Sequence, residues 1–127
     1  MIFLDSSYII SILFSDDINH QRAKELKKFF THERMMINNT VLNEVLNCFD
    51  KETKYVKQIV KSILNIDKIY FLDNEDYGNA IKLFFYYNQA INFSDCTILE
   101  TMVKEKVNNI VTFDSDFEKI KGINIIR

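Results

Sequence analysis

The sequence predicts an α/β fold in which a parallel sheet of about five short strands is flanked by helices. Two observations predict it. Continuous apolar runs of four or five residues recur along the chain, as expected for strands buried on both faces. Between them lie longer segments whose apolar residues repeat at helical spacing, and strands alternating with helices specify parallel crossovers.

The elements follow in order. MIFL (1–4) is the first strand; after Asp5, Ser6 and Ser7, the residues Tyr8, Ile9, Ile10, Ile12 and Leu13 open an apolar helix. A helix over 18–30 precedes the strand RMMIN (34–38). Helices over 41–49 and 52–66 lead to KIYFL (68–72), and helices over 75–88 and 94–107 lead to NIVTF (109–113). Ser115 and Glu118 spell a capping box, S-D-F-E, for a short helix with Ser115 as its cap and Asp116 at its first position, before the last strand INIIR (123–127).

At 127 residues and 47% hydrophobic, the chain suits one domain over residues 1–127, and with no Pro and two Gly it offers no linker to divide it. The formal net charge of −2 excludes nucleic-acid binding by overall basicity. Charge is uneven, however: Lys and Arg outnumber acids from Arg22 to Leu72, and acids dominate from Asp73 to Glu118. Cys48 and Cys96 show no CxxC spacing and form no metal pattern with His20 and His32, which fits a reduced cytoplasmic protein. The apolar start lacks a basic n-region and a cleavage site, and no run is long enough to span a membrane.

In open parallel sheets, sites form beyond the carboxyl ends of the strands. Asp5 follows the first strand directly, and Asp114 follows NIVTF in the same strand-acid-serine order. Helix capping alone would also explain an acid at Asp5. In NFSDCTILETM, Ser94 is the expected cap and Asp95 the first helical residue, favoured there by the helix dipole. Yet Asp95 shares a face with Ile98, Leu99 and Met102, so its carboxylate belongs to the buried stripe and needs a partner. Glu44 lies beside the apolar face of Val41, Leu42, Val45, Leu46 and Phe49; alone it reads as a solvated helix residue and gains weight only in company. Carboxylates gathered on one rim repel and require neutralisation, and oxygen-only ligands select hard cations such as Mg²⁺ or Mn²⁺. Such ions suit phosphodiester hydrolysis.

FLDSS with Asp5, VLNEVL with Glu44, FSDCTIL with Asp95 and VTFDSDF with Asp114 resemble, in order and separation, the four acidic motifs of PIN-domain nucleases. Those motifs span the chain almost end to end, which looks most like the VapC-type toxins of toxin–antitoxin pairs. The resemblance implies a PIN-like three-layer fold and a Mg²⁺- or Mn²⁺-dependent endoribonuclease, commonly a homodimer silenced by a cognate antitoxin. It implies Asp5, Glu44, Asp95 and Asp114 as the catalytic quartet, Asp5, Asp95 and Asp114 as metal ligands, and Asp116 as an accessory acid. Cys96 and Thr97 depart from the small residues that often follow the third acid. A catalytically silent PIN-like domain that binds RNA or a partner is the alternative. A phosphorylatable receiver domain also groups acids at a sheet edge, but neither VTF nor KIYFL supplies its pattern.

Lys54, Lys57 and Lys61 fall on one face of the 52–66 helix, as a solvated stripe or a phosphate contact. The aromatics Phe84, Phe85, Tyr86 and Tyr87 cover all sides of a helix, so burial of most is expected, with the rest at a subunit or antitoxin interface. Phe14, Phe29 and Phe30 read as core or antitoxin groove.

Overall fold

A computed structural model describes residues 1–127. Its five strands are β1 (Ile2–Leu4), β2 (Met35–Asn38), β3 (Lys68–Tyr70), β4 (Asn109–Val111) and β5 (Asn124–Ile126). Six α-helices connect them: α1 (Ser6–Leu13), α2 (His20–Lys27), α3 (Asn39–Asn47), α4 (Val56–Leu64), α5 (Asn74–Tyr86) and α6 (Phe93–Glu105). The sheet order is β3-β2-β1-β4-β5 and every pairing is parallel, giving the expected three-layer α/β arrangement.

β1 is central and wholly buried, while the edge strands β3 and β5 are only partly so. The continuous apolar runs therefore fill both faces of the sheet, with Phe3, Met36, Ile37, Ile110 and Val111 at its middle. Val41 and Val45 of α3, Ile98 and Met102 of α6, and Phe117 close the core. Because β2 and β4 flank β1 on opposite sides, the chain reverses its direction of sheet growth at β1, where ligands gather in open α/β sheets.

The helices α5 and α6 are tied by polar groups. Asp76, fully buried, accepts from Lys104 Nζ at 2.7 Å, from the Tyr70 hydroxyl at 2.8 Å and from the Asp73 N–H at 2.9 Å. Burial pushes this carboxyl upward, but the three donors outweigh burial and hold it down at about 2. Glu100, also buried, accepts from the Asn79 amide at 3.0 Å.

Two expectations are corrected. The helix expected from residue 52 begins at Val56, because Asp50 and Thr53 close a turn through their side chains and Tyr55 adopts a φ of 62°. Lys54 consequently lies off the helix, leaving Lys57 and Lys61 on its exposed face. Of the four aromatics at 84–87, Phe84 and Tyr87 pack against the core, while Phe85 and Tyr86 are 63% and 76% exposed. Phe30 is core, Phe29 is exposed, and Phe14 packs on Phe49 with ring centroids 6.1 Å apart.

Candidate metal centre

The carboxyl ends of β1 and β4 deliver two aspartates to one rim. Asp5 leaves β1 in extended backbone and caps α1, its Oδ1 accepting the Ser6 N–H at 2.8 Å. Its Oδ2 accepts from the hydroxyls of Ser7 at 2.8 Å and Thr112 at 2.6 Å. Capping and membership of the acidic rim are thus both true of this residue. Asp114 follows β4 by three positions, and its N–H donates to Thr112 Oγ1 at 3.0 Å.

Here the cap expected at Ser115 is corrected. Asp114 itself caps, its Oδ1 accepting the Asp116 N–H at 2.9 Å, and Ser115 is the first residue of a 3-10 helix over Ser115–Lys119. The two-residue reach of an aspartate side chain suits this tight turn, whereas a capping box needs a regular α-helical first turn. Glu118 pairs instead with Arg127.

The cap of α6 is likewise Asn92, whose Oδ1 accepts the Asp95 N–H at 2.8 Å, in place of Ser94. An amide at this position reaches the third N–H, so the helix starts at Phe93 and Asp95 is its third residue. Asp95 as a residue is 5% exposed, as the apolar stripe demanded. Glu44 is half-buried on α3 and accepts from Ser6 Oγ at 2.8 Å, so the first turn of α1 touches both Asp5 and Glu44.

Asp95, Asp114 and Asp116 each offer an oxygen within 4.8 Å of the others. Asp5 stands outside this trio, its oxygens engaged by three donors, and Asp116 stands within it while also pairing with Lys119 Nζ at 2.9 Å. Burial, reinforced by the charges of Asp114, Asp5, Glu44 and Asp116, pushes the Asp95 carboxyl up to about 8. Burial also raises Asp5 and Glu44, against the hydrogen bonds each receives. Asp95 Oδ2 is the one buried side-chain oxygen or nitrogen in the chain with no hydrogen-bond partner. An orphaned buried oxygen among acids is costly, and three converging carboxylates fit a divalent cation that would satisfy it.

Several positioning residues escaped the sequence reading. Ser6, Ser7 and Thr112 hold the acids by their hydroxyls; the signal was a hydroxyl residue within two positions of the acid in LDSS and VTFD. Asn38, fully buried at the end of β2, caps α3 through the Val41 N–H and donates to Thr101 Oγ1 at 3.0 Å, fixing α3 against α6.

The family model of the PIN domain matches residues 2–123. No curated protein sequence matches at a significant level. Among solved structures, the chain is similar to Mycobacterium tuberculosis VapC20, a sarcin-ricin loop cleaving toxin, with a TM-score of 0.82 and 19% identity over 97% of both chains. It is similar to FitAcB from Neisseria gonorrhoeae with a TM-score of 0.78 and 17% identity, over 100% of this chain and 97% of that one. It is similar to VapBC2 from Rickettsia felis, solved on a promoter DNA fragment, with a TM-score of 0.72 and 16% identity over 99% and 98%.

Proposed function

The chain belongs to the PIN-domain family, and from that premise we propose that it is a Mg²⁺- or Mn²⁺-dependent endoribonuclease, the toxin of a toxin–antitoxin pair. The observation that carries the proposal is the unpartnered, buried Oδ2 of Asp95, on a carboxylate that comes within 4.8 Å of those of Asp114 and Asp116. The likeness to VapC20 supports RNA as the substrate.

Asp95 and Asp114 would hold the ion, and Asp116 would add a third carboxylate. Asp5 lies outside that trio with three donors on its oxygens, and a carboxylate has about four acceptor sites, so it would have one left to offer an ion. A divalent cation bound there would supply polarisation of the scissile phosphate, a lowered pKa of water and charge stabilisation of the leaving oxygen. Glu44 Oε2 is fixed by Ser6, and its burial-raised carboxylate takes the proton of the attacking water. Thr112, Ser7 and Ser6 keep Asp5 and Glu44 in place as charge shifts among them.

We assign an antitoxin to the groove between α1 and α4, lined by Tyr8, Ile9, Ile12, Leu13, Ile59 and Ile63, and a second copy to the exposed Phe85 and Tyr86 of α5. The VapBC likeness supports the first partner. Purified protein is expected to cleave single-stranded RNA only with Mg²⁺ or Mn²⁺, and Asp95→Asn to abolish cleavage. Equal cleavage by both proteins sinks the nuclease; RNA held without turnover in either metal marks the silent, binding form of the domain.

A further inference from the structure

Beside the acids, α3 carries a second polar pattern. Thr40, Asn43, Glu44 and Asn47 recur at intervals of three, one and three residues, so they share one face of the helix. That face forms one wall of a cavity of about 220 Å³. Tyr77 of α5 and Phe93, Ser94 and Thr97 of α6 form the other.

Glu44 belongs to both places, lining the cavity while its Oε2 accepts from Ser6. Ser94 and Thr97 flank Asp95 on α6. The cavity therefore opens directly next to the carboxylate rim. Its two ends are chemically distinct. Tyr77 and Phe93 lie with ring centroids 5.8 Å apart at 33°, and Phe84 meets Phe93 edge-on at 6.1 Å, fixing that ring. Asn43 and Asn47, one turn apart, add two exposed carboxamides. Thr97 is less available, since its hydroxyl is committed to Ser94 O at 2.6 Å and Thr40 Oγ1 at 2.9 Å.

From this juxtaposition we infer that the cavity is a nucleobase subsite for the nucleotide next to the scissile phosphate of single-stranded RNA. The inference rests on the nuclease reading for the position of that phosphate. The volume lies below the roughly 300–1,000 Å³ of pockets that enclose drug-sized ligands, and suits one planar ring system. Unstacked bases are recognised on aromatic faces and by hydrogen bonds to their edges. Tyr77 supplies the face, and each Asn amide offers donors and an acceptor for the edge. A single strand crossing the rim thus places one base in the cavity while its phosphate passes the acids. The cavity sets sequence preference, and the acids set chemistry.

Fluorescence anisotropy tests this with a 5′-labelled RNA hexamer varied at one position, in Mg²⁺, on the Asp95→Asn protein to prevent turnover. Adding Tyr77→Ala is expected to weaken binding about tenfold, while Tyr77→Phe retains affinity and thereby excludes misfolding as the cause. Adding Asn43→Ala with Asn47→Ala should shrink differences among the four bases to within about twofold. Replacing the varied nucleotide by an abasic one should remove the effect of Tyr77→Ala. Unchanged affinity and base preference in all variants overturn the subsite, and the nuclease reading survives if wild-type protein still cleaves with metal. Base-dependent binding lost in these variants supports the subsite even if wild type never cleaves, which would reject the nuclease alone. No detectable RNA binding overturns it.

Discussion

Thr112, at the end of β4, donates its hydroxyl to Asp5 Oδ2, at the end of β1, across 2.6 Å and 107 residues of sequence. Thr112 Oγ1 also accepts the Asp114 N–H at 3.0 Å, so one buried hydroxyl sets the spacing of two rim aspartates. Thr112→Val keeps the volume and removes both bonds. It is expected to destabilise the fold by about 1–2 kcal/mol in urea unfolding and to lower RNA cleavage at least tenfold, because both partners are displaced together. Full activity in a destabilised variant would show that the acids hold their spacing without it.

Asp95 titrates near 8 in the folded chain against 3.8 as an ordinary carboxyl, burial being the chief cause. Between those values the folded state holds a proton that the unfolded state has lost. Metal-free protein is therefore most stable below about pH 4 with respect to this group, and loses up to about 1.4 kcal/mol per unit as pH rises toward 8. Chemical denaturation across this window, with and without Mg²⁺, measures it. Metal is expected to reduce the slope, and Asp95→Asn to remove this contribution; a slope that persists in the variant assigns it elsewhere.

Asp114→Asn keeps the helix cap, since asparagine caps as well as aspartate, so its loss falls on charge. Asp116 already shares its Oδ1 with Lys119. Mn²⁺ titration followed by calorimetry should show a greater loss of affinity for Asp114→Asn than for Asp116→Asn, with unchanged melting of the metal-free proteins beyond about 1 kcal/mol. The reverse order would make Asp116 the principal ligand of the pair.

Asp76 is far from this chemistry in role. Asp76→Ala strands the Tyr70 hydroxyl and the Asp73 N–H and frees Lys104, and is expected to destabilise by about 2–3 kcal/mol. Because this carboxyl is held down at about 2 by its donors, the stability it contributes is present above about pH 4 and is lost as pH falls through 2. RNA cleavage per folded molecule should be unchanged, which activity corrected for the folded fraction by circular dichroism would check.

The sequence by itself determined the parallel α/β class and the order of its strands and helices. It could do so because burial on both faces of a strand and on one stripe of a helix leaves periods that are local. Asp95 was legible for the same reason, as a carboxylate written into an apolar stripe. Helix starts were less legible: Asn92 and Asp114 displaced the serines expected to cap, since cap choice depends on which side chain reaches a free N–H in the turn actually formed. What only the tertiary structure decided is distance. It placed Asp116 in the trio with Asp95 and Asp114, surrounded Asp5 with three donors, and left Asp95 Oδ2 without a partner. It also brought Asn43 and Asn47 of α3 opposite Tyr77 and Phe93. These relations join residues far apart in the chain, through the sheet order and helix packing, and no local period encodes them.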